Sequence, residues 1–353
     1  MKINRKRNIG GHAATFLAAL IGCTVAFAQS TPLFQGKTVT VIIGFAAGGG
    51  TDSFGRMAAN FFAQYLPGSP TVIVRNVPGA DGITAMNYFV EQAAADGYSI
   101  TVAASTTADP LNWRKPNVRY NPTQFEVIGG AGRGGVLMVI NKEAEKRLTD
   151  KQVKPVVMGS LSGLPRSGMQ MTAWGIEYLD WNAKWVIGYR GTSELMVALE
   201  RGEIDMTSTG NLFHVQRLLA TGKFKVLAQT GMLKNGRRVA RPEFADVPVI
   251  EDLLTGKIAD PLMRDAYAYW SANSSIDKWT ALPPNAPKVM VDAYRVAYGK
   301  MMQDTEFVDR GRKMSDDFEP WPHTDVEFLI NRLDSIQMEA IDRLGVMLRK
   351  QSL

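Results

Sequence analysis

Residues 38–52 read TVTVIIGFAAGGGTD, and this stretch joins an apolar run to a glycine-rich turn. The run from Thr38 to Phe45 is rich in β-branched residues, which predicts a buried strand. The glycines Gly48 to Gly50 let the backbone come close to a bound molecule. A helical pattern follows over 53–65, and the N-terminus of such a helix offers unpaired N–H groups to an anion. Taken alone, the stretch fits a capped structural turn as well as a binding loop.

The same order of strand, turn and helix recurs along the chain. A second strand is predicted at 71–75, followed by the turn NVPGADG at 76–82 and a helix over 83–94. A third strand, 99–104, runs into Ser105 and Thr106. These spacings suit right-handed crossovers between parallel strands. Because ligands of open α/β sheets bind where parallel strands end, the three loops would converge on one crevice.

The middle of the chain repeats this pattern and predicts a second α/β unit. Strands are expected at 136–140, 153–158, 184–189, 204–206 and 225–229, with helices at 169–179 and 193–201. A Gly/Ser loop at 159–168 would give the second unit a polar rim. Thr324 and Glu327 have the spacing of a capping box, which predicts one amphipathic helix from there to about Lys350.

The N-terminal segment predicts export from the cytoplasm. The formal charge of the chain is +6, and positive residues near the start precede an apolar run and the sequence Ala26-Phe27-Ala28. This is the pattern of a secretory signal peptide cleaved after Ala28, with localisation in the periplasm. Cys23, the only cysteine, lies in a lipobox-like context and could instead be lipidated. Without the leader little net charge remains, and no basic stripe supports nucleic-acid binding.

Catalytic and metal-binding patterns are absent from the sequence after residue 28. Only His214 and His323 remain there, no cysteine does, and no Gly-x-Ser-x-Gly elbow occurs. His214 lies among apolar residues and is expected to pack or hydrogen-bond, and His323 is expected in a surface loop. We therefore expect no enzyme activity, no metal and no organic cofactor.

Several motifs resemble the Bug-type solute-binding proteins of tripartite tricarboxylate transporters. The residues that carry the resemblance are FAAGGGTD at 45–52, NVPGADG at 76–82, DGY at 96–98, YNP at 120–122, GYRG at 188–191, GEID at 202–205, DVP at 246–248 and DTEF at 304–307. Each motif is weak alone, but their order and spacing span nearly the whole chain after residue 28.

The resemblance implies a type II periplasmic-binding fold with two α/β lobes and two crossover strands around a ligand cleft. The implied parts are a signal peptide at 1–28, a first lobe at 30–136 and 230–353, and a second lobe at 137–229. The implied ligand-binding residues are Phe45, Ala46, Gly48, Gly49, Thr51, Asp52, Ala80, Asp81, Ser105 and Thr106, faced by Ser167, Gly168, Tyr189 and Asp205.

The function implied by the resemblance is capture of a small carboxylate by a monomer. The ligand would be a tricarboxylate, dicarboxylate, amino acid or aromatic acid, passed to separate membrane permease subunits. Two other functions stay open, a ligand sensor of the same fold that signals to a receptor kinase and a secreted hydrolase.

Two residues depart from the family pattern. Asp81 places a carboxylate in the second turn, where it would either face the ligand or cap the following helix. Arg166, in the loop before Ser167, would either pair with a second ligand carboxylate or lie in solvent.

Overall fold

The computed structural model describes residues 1, 32–161, 167–189, 192–315 and 318–352. The predicted cleavage site after Ala28, the alternative lipidation site at Cys23 and Arg166, for which a ligand contact and a solvent position were both open, lie outside these ranges. Residues 32–353 form one compact unit. Within the described ranges, no helix is both long and apolar enough to cross a membrane.

Strands and helices alternate through the first two thirds of this unit. The strands are β1 Thr38–Ile43, β2 Thr71–Asn76, β3 Ser99–Ala104, β4 Glu126–Arg133, β5 Leu137–Asn141, β6 Val156–Leu161, β7 Ala183–Tyr189, β8 Met206–Thr209, β9 Phe224–Gln229, β10 Met232–Lys234, β11 Arg237–Val239, β12 Ile276–Leu282 and β13 Phe318–Pro322. The helices are α1 Gly50–Tyr65, α2 Ile83–Gln92, α3 Pro110–Trp113, α4 Lys142–Glu145, α5 Met171–Tyr178, α6 Thr192–Arg201, α7 Leu212–Ala220, α8 Ile250–Leu254, α9 Pro261–Asn273, α10 Lys288–Gln303, α11 Thr305–Met314, α12 His323–Asp334 and α13 Met338–Ser352.

The strands form two large sheets. The first has six strands in the order β13-β4-β12-β3-β1-β2, and the second has five in the order β7-β6-β8-β5-β9. In the first sheet β1 is parallel to β2 and β3, as the crossover spacing predicts. In the second sheet β6 is parallel to β7 and β8. The carboxyl ends of these parallel strands therefore carry the loops that the sequence analysis singled out.

The chain crosses between the sheets twice, after β4 and after β9. The two crossings lie side by side, because Thr230 N donates to Val136 O at 2.9 Å and Val136 N donates to Thr230 Oγ1 at 2.8 Å. The buried Gln229 holds the returning crossing by donating to Phe244 O at 2.9 Å and Val247 O at 2.8 Å. These bonds fix the crossings to each other and to the segment that follows them.

Two helices near the C-terminus contact the second sheet's layer. The ring of Trp174 in α5 lies 5.1 Å from Tyr267 and 6.0 Å from Trp270, both in α9. Gln351 Nε2 in α13 donates to Ala173 O at 3.2 Å. Helices that the sequence analysis assigned to the first lobe therefore also pack against α5.

The predicted long C-terminal helix is wrong, since it is split into α12 and α13. Arg114 donates from Nη2 to Asp334 O at 2.5 Å and from Nη1 to Ile336 O at 2.7 Å, and so satisfies carbonyls where α12 ends. The predicted capping box is also wrong. Helix α12 begins at His323 after Pro322 with no side-chain cap, and Glu327 pairs instead with Arg295 at 2.7 Å.

Candidate functional site

The loop after β1 is held by the carboxylate of Asp52, which is only 2% exposed. Its Oδ2 accepts from Gly48 N at 2.8 Å and Arg56 Nε at 2.9 Å, and its Oδ1 accepts from Asn76 Nδ2 at 2.8 Å. Burial alone would raise the pKa of Asp52, but the bonds from Arg56, Asn76 and Gly48 outweigh it and lower this pKa to about 2. Asp52 is thus an ionised clamp inside the loop, and its oxygens are already bonded to protein donors.

The N-terminus of α1 is left open by this arrangement. Its N-cap, Gly49, makes no side-chain cap bond. The N–H groups of Gly50, Thr51 and Asp52 have no acceptor in the described part of the chain. Three free donors at the positive end of a 16-residue helix favour an anion.

The space in front of these donors is not filled by the chain. A Cβ on Gly49 would meet only Ala46 O, at 3.6 Å, and one on Gly50 would meet nothing within 4 Å. Gly49 has φ −78°, a value open to any residue. Neither packing nor backbone conformation requires glycine here, and Ala46 to Gly50 are exposed. The free space is what a ligand near the helix N-terminus would need.

The turn after β2, at residues 76–82, has a strained backbone. Ala80 and Asp81 have positive φ values of 48° and 54°, which cost energy in residues with a Cβ. Helix α2 starts after Gly82, which has no side-chain cap bond. Asp81 therefore does not cap this helix, and its exposed side chain has no hydrogen-bond partner in the described residues.

Three loops meet at this edge of the first sheet. Asn76 Nδ2 also donates to Phe45 O at 2.8 Å, which joins the first loop to the second. A Cβ on Gly82 would lie 2.9 Å from Thr107 Cγ2 and 3.3 Å from the Phe45 ring, so only glycine lets these loops come so close. Thr106 Oγ1 donates to Asp81 O at 2.8 Å and ties the third loop to the second.

A cavity of about 420 Å³ lies beside the third loop and the crossing after β4. Ser105 and Thr106 line it together with residues from both sheets' layers, namely Asp109, Leu111, Arg133, Gln170, Tyr269, Trp270, Asn273, Ser274 and Leu344. The residues of the first two loops do not line this cavity. The edge of the sheet thus offers free helix donors at one place and a polar cavity at another.

Asp109 is the acidic group of this cavity. Burial raises the pKa of its carboxyl, although the group accepts hydrogen bonds from Leu111 N, Tyr269 and Asn273. The bonds measure 2.9 Å from Leu111 N, 3.2 Å from Tyr269 Oη and 3.1 Å from Asn273 Nδ2. Arg133 is the cation of the cavity, and its Nη2 lies 3.7 Å from Asp277 Oδ1. The cavity can therefore offer both hydrogen-bond donors and acceptors to a polar ligand.

The second sheet brings some predicted residues to the cleft edge and not others. Tyr189 ends β7 beside Leu161 at the carboxyl ends of the strands. Burial, and then Glu203 and Glu194, raise the pKa of Tyr189. Gly168 is buried, and a Cβ there would lie 2.3 Å from Val136, so it packs against the crossing. Ser167 begins a short 3-10 turn before α5.

Asp205 does not line the cleft in this structure. It precedes β8 and therefore lies at the amino edge of that strand, opposite the loops. Its Oδ1 pairs with Arg147 Nη2 at 2.7 Å and its Oδ2 accepts from Val157 N at 2.9 Å. The expectation that Asp205 faces the ligand is corrected: its carboxylate joins α6, β6 and the segment after α4.

The amino-acid sequence also matches the model of a known protein family. The model for the tripartite tricarboxylate transporter family receptor, TctC, matches residues 55–260, more than half of the 353-residue chain. The chain belongs to this family.

One solved structure agrees with this family at the level of the fold. A TctC solute-binding protein from Polaromonas, solved without ligand, is 18% identical, with coverage of 89% of this chain and 98% of that chain and a TM-score of 0.63. The periplasmic binding protein BugD is 21% identical over 89% and 97% of the two chains, at a TM-score of 0.45. A Rhodopseudomonas palustris protein with adipate is 17% identical over 89% and 97%, at a TM-score of 0.48. A search of curated proteins found no match.

The fold of this TctC family member is the expected one, two α/β lobes joined by two crossovers around a cleft. Within the described ranges, no group of three or more His, Cys, Asp or Glu side chains could hold a metal ion. His214 lies in α7 with its ring 6.1 Å from Phe213, and His323 is the first residue of α12 and not a loop residue.

Sequence reasoning missed most of the cavity in this TctC family member. Arg133, Gln170 and Asn273 come together from distant parts of the chain, and no local pattern marks them. Asp109 did have a signal, because an Asp-Pro pair that starts a helix after a predicted strand places a carboxylate at the same edge as Ser105.

Proposed function

We propose that this chain is an exported receptor that binds a small carboxylate in the cleft and delivers it to the permease subunits of a tripartite tricarboxylate transporter. The observation that carries the proposal is the open N-terminus of α1. Three free N–H groups face a space that Gly49 and Gly50 leave empty. A carboxylate would satisfy these donors and be favoured by the helix dipole.

The ligand would extend from the first loop toward the third. Its carboxylate would lie at the N–H groups of Gly50, Thr51 and Asp52, with the strained turn at Ala80 and Asp81 beside it. Ser105 and Thr106 would continue the wall into the cavity of about 420 Å³. A second polar group of the ligand would reach Arg133 or Gln170 there. This arrangement needs no metal or cofactor.

The proposed receptor keeps the location, the lobes and the second-lobe ligand contacts that the sequence predicts, except for Asp205. The chain would act as a monomer in the periplasm after cleavage behind Ala28. Its first lobe would comprise 30–136 and 230–353, and its second lobe 137–229. Tyr189, Ser167 and Gly168 would approach the ligand from the second lobe. Asp205 is left out of the proposed site because its carboxylate is held at the opposite edge.

A thermal-shift screen tests the proposal. Acetate, succinate, citrate, glutamate and benzoate are each compared, at equal ionic strength, with the compound in which every carboxyl group is an amide. A ligand that binds only the folded state, present at 100 times its dissociation constant, adds about 2.7 kcal/mol to the free energy of unfolding. We expect at least one carboxylate to raise the melting temperature and its amide to leave it unchanged. Equal shifts with acid and amide, or none with any acid, would count against carboxylate binding.

A further inference from the structure

A second cavity, of about 390 Å³, lies on the other face of α9. Tyr267, Ala268, Ser271 and Ala272 of α9 line it, whereas Tyr269, Trp270, Asn273 and Ser274 line the cavity beside the third loop. Residues two positions apart in a helix point in nearly opposite directions, since each residue turns the helix by about 100°. The two cavities therefore share α9 as a wall and have no lining residue in common. The other walls of the second cavity come from the β10–β11 hairpin, α8 and α12.

Three arginines line this second cavity. They are Arg238, Arg264 and Arg332, and Glu251 is the one carboxylate among the described lining residues. None of the three forms an ion pair with a carboxylate in the part of the chain that the structure describes. Arg332 is exposed and its guanidinium group makes no hydrogen bond there, so this group is available to a ligand. The cavity thus has an excess of positive charge that its own residues do not neutralise.

Arg238 is fixed at the hairpin side of the cavity by neutral acceptors. It donates to Ser271 O at 2.6 Å, to Gly231 O at 3.2 Å and to the hydroxyl of Ser275. Burial lowers the pKa of Arg238, and Tyr267, Glu251 and Glu319 partly offset this. A buried cation without an ion pair at contact distance is costly, and an anion in the cavity would relieve that cost.

Much of the rest of the wall is apolar. Leu233, Leu254 and Ile258 line the cavity, as does Phe328, which is 45% exposed. The hydroxyl of Tyr267 has no hydrogen-bond partner among the described residues, and its ring is positioned by Trp174 at 5.1 Å and Trp270 at 5.3 Å. An apolar wall beside unpaired cations suits an organic anion that carries a hydrophobic body.

We propose that this cavity is a second binding site, which takes an amphipathic organic anion such as an aromatic carboxylate. The carboxylate pairs with Arg332 and Arg264, and the ring packs against Phe328 and the leucines of the hairpin and α8. The site is separate from the proposed cleft site, because no residue of the three cleft loops lines it.

Calorimetry with phenylacetate tests this proposal on four proteins. The variants are Arg332→Gln, which removes one cation, Ala268→Leu, which fills the cavity, and Arg312→Gln. The last is the matched control, since Arg312 is exposed on α11 and does not line the cavity. Acetate and phenylacetamide serve as probes that lack the ring or the charge.

We expect a phenylacetate binding event that weakens at least about tenfold in Arg332→Gln and disappears in Ala268→Leu. It should be unchanged in Arg312→Gln and absent with acetate and phenylacetamide. Thermal melts confirm that the variants are folded. Any phenylacetate binding in the cleft would be equal in all four proteins. If the only binding is equal in all four, if none occurs, or if phenylacetamide binds equally well, the second site is refuted.

Discussion

Asn76 Nδ2 donates to Asp52 Oδ1 at 2.8 Å, and this bond joins the strand-to-helix turns that follow β1 and β2. The same amide nitrogen donates to Phe45 O at 2.8 Å. Gly48 N and Arg56 donate to the other carboxylate oxygen, so both oxygens of Asp52 are bonded to donors of the protein itself. Its part in ligand binding is therefore to hold the loop in the shape that leaves the N–H groups of α1 free.

Replacement of Asp52 by Asn should destabilise the protein by about 1–3 kcal/mol, because its three hydrogen-bond donors lose a buried, charged acceptor. Urea denaturation measures the change in the free energy of unfolding. Asp81→Asn is the matched control, since Asp81 is exposed and unpartnered, and it should stay within about 0.5 kcal/mol of the parent. Equal effects of the two substitutions would show that Asp52 is not a clamp.

The contribution of Asp52 should depend on pH in a defined window. Its pKa is lowered from 3.8 to about 2 in the folded protein, so its stabilisation is fully present above 3.8 and is lost as the pH falls through about 2. The difference in unfolding free energy between the parent and Asp52→Asn should be constant at neutral pH and shrink in acid. Urea melts of both proteins at a series of pH values measure it. A difference that grows in acid would contradict the assignment.

Asp81→Asn should strengthen carboxylate binding several-fold at low salt, because it removes a like charge beside the proposed anion site. Asparagine tolerates the positive φ of 54° at this position, so the backbone need not change. Calorimetry at two ionic strengths should show that the gain shrinks with salt. Weaker binding would mean instead that Asp81 accepts a hydrogen bond from a cationic group of the ligand.

Asp205→Asn should lower stability by about 1–3 kcal/mol and leave ligand affinity unchanged, because Asp205 pairs with Arg147 and Val157 N away from the cleft. Glu203→Gln is the control, since Glu203 is exposed and its contact with Arg201 is 3.8 Å long. Denaturation and calorimetry on both variants separate the two effects. A loss of affinity at full stability would return Asp205 to the binding site.

Local patterns predicted the three parallel strands of the first sheet well, whereas β6 and β8 of the second sheet each begin two or three residues later than predicted. Strand β3 occupies the predicted range, Ser99–Ala104, because an apolar, β-branched run is bounded by the Asp96-Gly97-Tyr98 turn on one side and polar residues on the other. The end of α12 could not be predicted, because the carbonyls there are satisfied by Arg114, more than 200 residues earlier in the chain.

In the candidate site too, features set by neighbouring residues could be predicted, and those set by contacts with distant residues could not. The glycine turns were visible in the sequence because each lies between a strand and a helix. The role of Asp52 was not, since it depends on Asn76 from the next strand. Asp205 was assigned to the site by the resemblance of its GEID motif to the family, but it directly precedes β8, which starts at Met206, so it lies at the amino edge of the strand.

Calorimetry on Gly49→Val, with the carboxylate that the thermal-shift screen identifies, tests the central claim most directly. The φ of −78° at Gly49 accepts valine, and a Cβ would meet only Ala46 O at 3.6 Å, so the protein should remain folded. Gly299→Val is the control, because a Cβ on Gly299 meets nothing within 4 Å and it lies in α10. We predict that Gly49→Val abolishes binding while Gly299→Val retains it. Undiminished binding by a folded Gly49→Val protein would contradict the proposed carboxylate site at the N-terminus of α1.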